Sequence, residues 1–250
     1  MIHPLVAVLY APGTNCHEET AAALAATGLT SELVLLRDLL SGSTRLQEYQ
    51  AAVIPGGFSY GDHLGAGRIF GAMLASRLGD ALRQFHARQK PLLGVCNGFQ
   101  VLAESGILPG GGTGSEPGKR AMALLANQSA RFEDRRVRLL VGKSECLWTQ
   151  GLAGRILAMP SAHGEGRASF SCPPEEAAVA LTYCGNDGSP TSQYPENPNG
   201  SPGAVAGITD KTGFALGLMP HPERASLPVH SSQDGLEIFK NLADYLAGGK

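Results

Sequence analysis

The chain has 250 residues, of which 17% are charged, with a formal net charge of -2 and 33 glycines. That balance excludes a polycationic nucleic-acid binder and a disordered acidic tail, and the length suits one large α/β domain or at most two small ones. The abundance of glycine points to many tight turns rather than long helices.

Leu5–Tyr10 is a short continuous apolar run, as expected of a parallel strand covered on both faces. Pro12–Asn15 break it, and the Ala- and Glu-rich segment Cys16–Thr27 predicts a helix ending before Gly28. Glu32–Leu36 reads as a second strand, and Ala51–Ile54 as a third, stopped by Pro55-Gly56-Gly57. From Arg68 to Gln89 apolar residues recur at helical spacing, Pro91–Val95 gives a fourth strand, and Phe99–Glu104 starts a helix that Gly106 ends. Strands and helices alternating in this way predict a parallel sheet with right-handed crossovers.

The middle is less regular. Leu108–Lys119 reads as a Gly-rich loop, followed by short strand candidates at Ala121–Ala126, Arg136–Val141, Arg155–Ala158 and Ala177–Tyr183. Within Arg131–Arg138, Glu133 and Asp134 interrupt the arginines, which fits a solvated strand face. A polar loop, Gly185–Pro202, leads to apolar runs at Val205–Ile208 and Phe214–Met219, and a helix is expected over Gln233–Leu246. No repeat or long linker divides the chain, so residues 1–250 are expected to form a single domain.

The N-terminus shows no basic region or cleavage site, and no apolar run approaches the roughly 20 residues of a membrane span. The five cysteines (Cys16, Cys96, Cys146, Cys172, Cys184) form no C-x-x-C pair. Reduced thiols in a cytoplasm fit this better than a disulfide framework or a structural metal site. No membrane, nucleic-acid or metal partner is expected.

Most lone cysteines are small buried hydrophobes, but Cys96 has a context that argues otherwise. Gly94-Val95-Cys96-Asn97-Gly98 is a G-x-C-x-G sequence between a buried strand and a helix, the arrangement of a nucleophile elbow. Such a turn exposes the sulfur at the carboxyl edge of the sheet and points amide groups and the positive helix end at it, which favours thiolate. Met219-Pro220-His221-Pro222-Glu223 follows the last apolar strand. His221 can take and return a proton, and Glu223 can fix its tautomer. By itself H-P-E is usually a surface loop; paired with the elbow it completes a Cys–His–Glu triad. Pro55–Ser59 ends a strand beside the elbow strand, so the Gly57 and Asn97 amides are candidate oxyanion donors.

Together, P-G-G, G-x-C-x-G and H-P-E resemble the triad-type (class I) glutamine amidotransferases. Pro55–Asp62, Gly94–Gln100, His163–Arg167 and Asn197–Ser201 narrow the likeness to the glutaminase subunits of phosphoribosylformylglycinamidine synthases, over nearly the whole chain. The resemblance implies a flavodoxin-like α/β fold, a mostly parallel sheet with helices on both faces. It implies glutamine hydrolysis by Cys96 as nucleophile, His221 as acid–base and Glu223 as orienter. Gln100 would help hold glutamine, His163 and Gly164 would bind its amino-acid end, and Asn197–Ser201 would serve the partner interface or ammonia passage.

The implied partners are glutamine, an ATP- and magnesium-using synthetase acting on phosphoribosylformylglycinamide, and in some members a small accessory subunit. No cofactor is expected on this chain, which lacks a G-x-x-x-x-G-K-[ST] loop. Two features depart from the pattern: His63 stands where an aromatic residue is common, and Leu108–Lys119 is unusually Gly-rich.

Read from the residues alone, H-G-E-G-R could equally be a structural turn and N-P-N-G-S a plain turn cluster. The rival readings are the glutaminase subunit of another amidotransferase, a catalytically silent regulatory subunit, and a related cysteine hydrolase. Cysteine hydrolases of related folds commonly carry histidine after the elbow cysteine, where Asn97 stands here.

Overall fold

A computed structural model describes residues 4–110, 120–171 and 178–248 of the chain. The first half alternates as expected: β1 (Leu5–Tyr10), α1 (His17–Ala25), β2 (Thr30–Leu35), α2 (Leu36–Ser41), β3 (Ala51–Ile54), α3 (Arg68–Arg77), α4 (Gly79–Ala87), β4 (Leu92–Val95) and α5 (Asn97–Glu104). Every side chain of β3 and β4 is buried, which is why these strands read as unbroken apolar runs. The single helix expected over Arg68–Gln89 is two. Leu78 leaves helical geometry (φ -124°, ψ 9°) just before Gly79, and the chain turns there.

The second half holds β5 (Met122–Ala126), β6 (Glu133–Val141), β7 (Ile156–His163), β8 (Glu165–Phe170), β9 (Val179–Tyr183), β10 (Val205–Thr209), β11 (Ala215–Leu218) and α6 (Leu236–Leu246). The expected Gly-rich loop from Leu108 runs into residues 111–119, and the expected strand from Ala177 begins on one, that lie outside the described residues, as does Cys172.

Among the described residues nine strands form one sheet in the order β2-β1-β3-β4-β11-β10-β9-β6-β7, and β5 pairs with β8 in a separate ribbon. The first five strands are mutually parallel; β10, β9, β6 and β7 extend them antiparallel. The flavodoxin-like α/β core is therefore present, with an antiparallel wing on one side. Strand β7 runs on past the expected Arg155–Ala158, through Pro160 to His163. Proline is tolerated there because β7 is the sheet's edge, where a missing N–H breaks no ladder. No helix among the described residues is long and apolar enough to cross a membrane.

Candidate active site

Registers fix the site's position. Ile54 pairs with Gly94 across β3 and β4, and Leu218 with Val95 across β11 and β4. Gly57, Cys96 and His221 therefore leave three neighbouring strands at the same carboxyl edge, where open α/β sheets place their ligands.

Cys96 sits at φ +51°, ψ -104°, a conformation that costs a non-glycine residue of order 1–3 kcal/mol and needs support from its surroundings. The support is visible. The Cys96 N–H donates to the Leu218 carbonyl at 2.8 Å. A Cβ on Gly94 would come within 2.5 Å of the Gly98 carbonyl oxygen, and one on Gly98 would collide with the Ile54 carbonyl. The two elbow glycines thus allow α5 to start hard against β3 and β4. The Cys96 Sγ lies 3.5 Å from the Ala162 carbonyl oxygen.

His221 is buried, and its N–H donates to the Pro160 carbonyl at 2.7 Å. Its Nδ1 lies 2.6 Å from Glu223 Oε1. The carboxylate can only accept, so Nδ1 carries the proton and Nε2, which has no hydrogen-bond partner among the described residues, is left as the free nitrogen. Burial opposes charging of the imidazole, but the Glu223 carboxylate and Cys96 outweigh it and hold the His221 pKa well above the usual histidine value. Glu223 is fully buried, and its Oε2 has no partner.

Edge strand β7 closes over this edge of the sheet, although it is ninth in strand order. Besides Pro160 and Ala162, it brings in the residues on either side of its end. The Glu165 carbonyl accepts from Gln100 Nε2 at 2.6 Å, and Glu165 Oε2 accepts from the Ala66 N–H at 3.2 Å. The antiparallel wing therefore curls back over the parallel core, and H-G-E-G-R, left open between a turn and a binding segment, spans the end of β7 and the start of β8.

His163 is buried, and its pKa falls to about 4, mainly through burial and then through the neighbouring His221. Asn127 Nδ2 donates to the carbonyls of Arg131 (2.9 Å) and His163 (2.7 Å), so its Oδ1 accepts, and the 3.0 Å contact with His163 Nδ1 is a donation from the ring. His163 is thus neutral, with Nε2 a bare acceptor. Gln100 and Asn97 are also engaged inside the protein. Asn97 Nδ2 donates to Gln100 Oε1 (3.0 Å) and to Asp62 Oδ1 (3.2 Å), and Asn97 Oδ1 accepts from the Ser59 N–H (3.2 Å). Gly57 has φ +144°, and a Cβ there would meet Asn15 N at 2.7 Å and Gly13 O at 2.8 Å, so only glycine fits.

The N-P-N-G-S segment, left open between a partner or ammonia-passage role and a plain turn, and the expected solvated face of Arg131–Arg138 both place polar residues in the interior. Asn197, Asn199 and Ser201 are at most 1% exposed. Asn199 Nδ2 donates to Tyr183 Oη (3.1 Å), and Ser201 Oγ accepts from the Ala168 N–H (3.0 Å), so the N-P-N-G-S turn ties β8 to β9. Glu133, on the expected solvated face, is only 4% exposed, and accepts from Ser129 Oγ (2.6 Å) and Arg135. Its pKa is lowered even though burial, the largest influence, acts to raise it, because Ser129 and Arg135 both bond the charged form.

Sequence reasoning missed Cys16. It follows β1, its N–H donates to the Gly56 carbonyl (3.2 Å), and its thiol lies near His221 and Glu223. Its position just past a strand's carboxyl end, the rule that located Cys96 and His221, was the available signal. The Arg224 Nη2 donates to Cys16 Sγ at 3.2 Å and its Nε to Glu19 Oε1 at 3.1 Å.

The model of the CobB/CobQ-like glutamine amidotransferase domain matches residues 3–246. The chain is 36% identical to a phosphoribosylformylglycinamidine synthase subunit PurQ of Methanococcus maripaludis, over 97% of each chain. It is 41% identical to the subunit of that name in Treponema denticola, over 88% of this chain and 87% of the relative. A solved structure of PurLQS from Thermotoga maritima matches it with a TM-score of 0.79 and 30% identity, covering 98% of this chain and 100% of the other.

Proposed function

The chain belongs to the CobB/CobQ-like glutamine amidotransferase domain family, and on that footing we propose that it is the glutaminase subunit of a phosphoribosylformylglycinamidine synthase. It hydrolyses glutamine to glutamate and passes the ammonia to a synthetase that makes phosphoribosylformylglycinamidine in purine biosynthesis. The full-length similarity to PurQ subunits and to PurLQS supports this pathway and the partner. The observation that carries the chemistry is the strained Cys96 elbow beside the buried His221–Glu223 pair, 2.6 Å apart.

Cys96 Sγ attacks the side-chain amide carbon while backbone N–H groups of Gly57 and Asn97 take the developing oxyanion. His221 carries the thiol proton to the leaving ammonia through Nε2, and Glu223 holds Nδ1–H and stabilises the imidazolium. A water, deprotonated by His221, then hydrolyses the glutamyl thioester. Gln100, His163 and Gly164 border the same edge and hold the substrate. Gln100 and His163 are already fixed by internal hydrogen bonds, so we assign their binding contacts to His163 Nε2 and backbone groups. The 250 residues act as one cytoplasmic domain without a cofactor of its own, and ATP and magnesium are used by the synthetase.

The pathway is tested by mixing the chain with its cognate synthetase, ATP, magnesium and phosphoribosylformylglycinamide. Product formed with glutamine as the nitrogen donor is expected. Product formed with free ammonium but never with glutamine would refute the assignment.

A further inference from the structure

The imidazole of His221 has a second thiol for a neighbour. One ligand atom each from Cys16, His221 and Glu223 lies within 4.8 Å of the other two, and all three residues are buried. Cys16 has no part in the acyl-transfer chemistry, and Glu223 Oε2 is buried without a partner among the described residues. Gly56 leaves the space between them clear. A Cβ there would stand 3.3 Å from Cys16 Sγ, 3.3 Å from His221 Nδ1 and 2.7 Å from His221 Cε1.

A sulfur, an imidazole nitrogen and a carboxylate oxygen are a borderline-soft donor set of the kind zinc takes. In a tetrahedral site with bonds of about 2.0–2.3 Å the ligand atoms stand about 3.3–3.6 Å apart. Side-chain shifts of about an ångström, widening the 2.6 Å His221–Glu223 contact and drawing in Cys16, would fit the cluster to an ion. The charges also balance. A thiolate and a carboxylate neutralise a divalent cation, while the Arg224 guanidinium is already met by Glu19 and donates to the sulfur, as outer-shell groups do in thiolate sites.

We propose that Cys16, His221 and Glu223 form a binding site for a thiophilic divalent cation such as Zn²⁺, and that its occupation inhibits the enzyme. The ion takes the place of the proton shared by His221 Nδ1 and Glu223 Oε1. The Cys16 thiol proton leaves to solvent, the Nδ1 proton moves to Nε2 so that the imidazole stays neutral, a water fills the fourth position, and no electron is transferred. His221 then has no carboxylate to hold it for Cys96. Binding tightens as pH rises, because the displaced thiol proton becomes easier to remove.

The test is anaerobic titration with Co²⁺, read by the near-ultraviolet thiolate-to-metal absorption band, on the full chain as wild type, Cys96→Ala, Cys16→Ser and Glu223→Gln. One equivalent is expected to give the band in wild type and in Cys96→Ala, and none in Cys16→Ser. The half-inhibiting Zn²⁺ concentration for glutamate release is expected to rise tenfold or more in Cys16→Ser, roughly the effect of a lost ligand contact. If Cys16→Ser does not fold, Glu223→Gln decides: tenfold weaker Co²⁺ binding supports the site and unchanged affinity overturns it. No band in wild type, or a band kept by Cys16→Ser and lost by Cys96→Ala, overturns it too. The cobalt band needs no turnover, so failure of this site and failure of the glutaminase reading are separate results.

Discussion

His221 Nδ1 and Glu223 Oε1 stand 2.6 Å apart with both residues buried, His221 in extended backbone and Glu223 in the short 3-10 turn that Pro222 opens. Because the carboxylate accepts the Nδ1 proton, it decides which imidazole nitrogen is free to work on Cys96. Glu223→Gln is expected to keep the fold while presenting an amide that can stabilise the wrong tautomer. We expect kcat for glutamate release to fall by ~10²–10⁴ with a much smaller change in KM, checked by steady-state kinetics beside a circular-dichroism spectrum.

The same pair fixes a pH dependence. The His221 pKa is raised well above its usual value, against burial, chiefly by Glu223 and then Cys96. The alkaline limb of glutaminase activity, where the proton needed by the leaving ammonia is lost, should therefore lie above the pH at which an ordinary histidine titrates. Glu223→Gln removes the largest raising influence and should move that limb to lower pH. A limb that stays in place in the variant would count against His221 as the proton carrier.

His163 gives a stability change of the opposite kind. Its folded pKa is depressed to about 4 from the ordinary histidine value of 6.5, so the unfolded chain takes up the proton first as pH falls. Stability that is complete above about pH 6.5 is lost as pH falls towards 4, by up to roughly 3 kcal/mol from this one group. Denaturant unfolding at pH 7 and pH 5 should show the loss, and His163→Asn should lessen its slope.

Gly98→Ala tests the elbow's packing. The added Cβ would collide with the Ile54 carbonyl oxygen, which is backbone and has nowhere to go. We expect a loss of about 1–3 kcal/mol or more and a collapse of activity larger than the fraction unfolded explains, since β3 or Cys96 must shift. Thermal unfolding and active-site titration on the same sample separate the two effects.

Asp210 concerns stability away from the chemistry. Its carboxylate accepts from the Ala215 N–H (2.8 Å), the Thr212 N–H (2.8 Å), Thr212 Oγ1 (2.5 Å) and His86 Nε2 (3.1 Å) at the turn joining β10 to β11. Asp210→Ala strips four donors of their acceptor and should cost about 3 kcal/mol in chemical denaturation. Turnover per folded molecule should change little.

The parallel core and the meeting of Cys96, His221 and Glu223 at one edge of the sheet were legible in the sequence because both rest on local signals. Fully buried strands read as apolar runs, and Gly94, Gly98, Pro220 and Pro222 mark the turns that carry Cys96, His221 and Glu223. What sequence did not reveal depends on long-range closure. The return of edge strand β7 to the elbow sets Ala162 beside Cys96 and Pro160 beside His221, yet no spacing records that approach. Asn197, Asn199 and Ser201 looked like loop punctuation because their residue types suit turns, but each is used as a buried hydrogen-bonding staple. Glu133 looked solvated because its partners, Ser129 and Arg135, are polar residues that any surface strand can carry.

The central claim is that Cys96 is the nucleophile of a glutaminase that serves a synthetase. It is tested most directly by glutamate release from glutamine by wild type and Cys96→Ala, each alone and with the cognate synthetase, ATP and phosphoribosylformylglycinamide. The account predicts weak release by wild type alone, a rise when the synthetase mixture is added, and none above background from Cys96→Ala in either setting. Equal release by Cys96→Ala and wild type would contradict it.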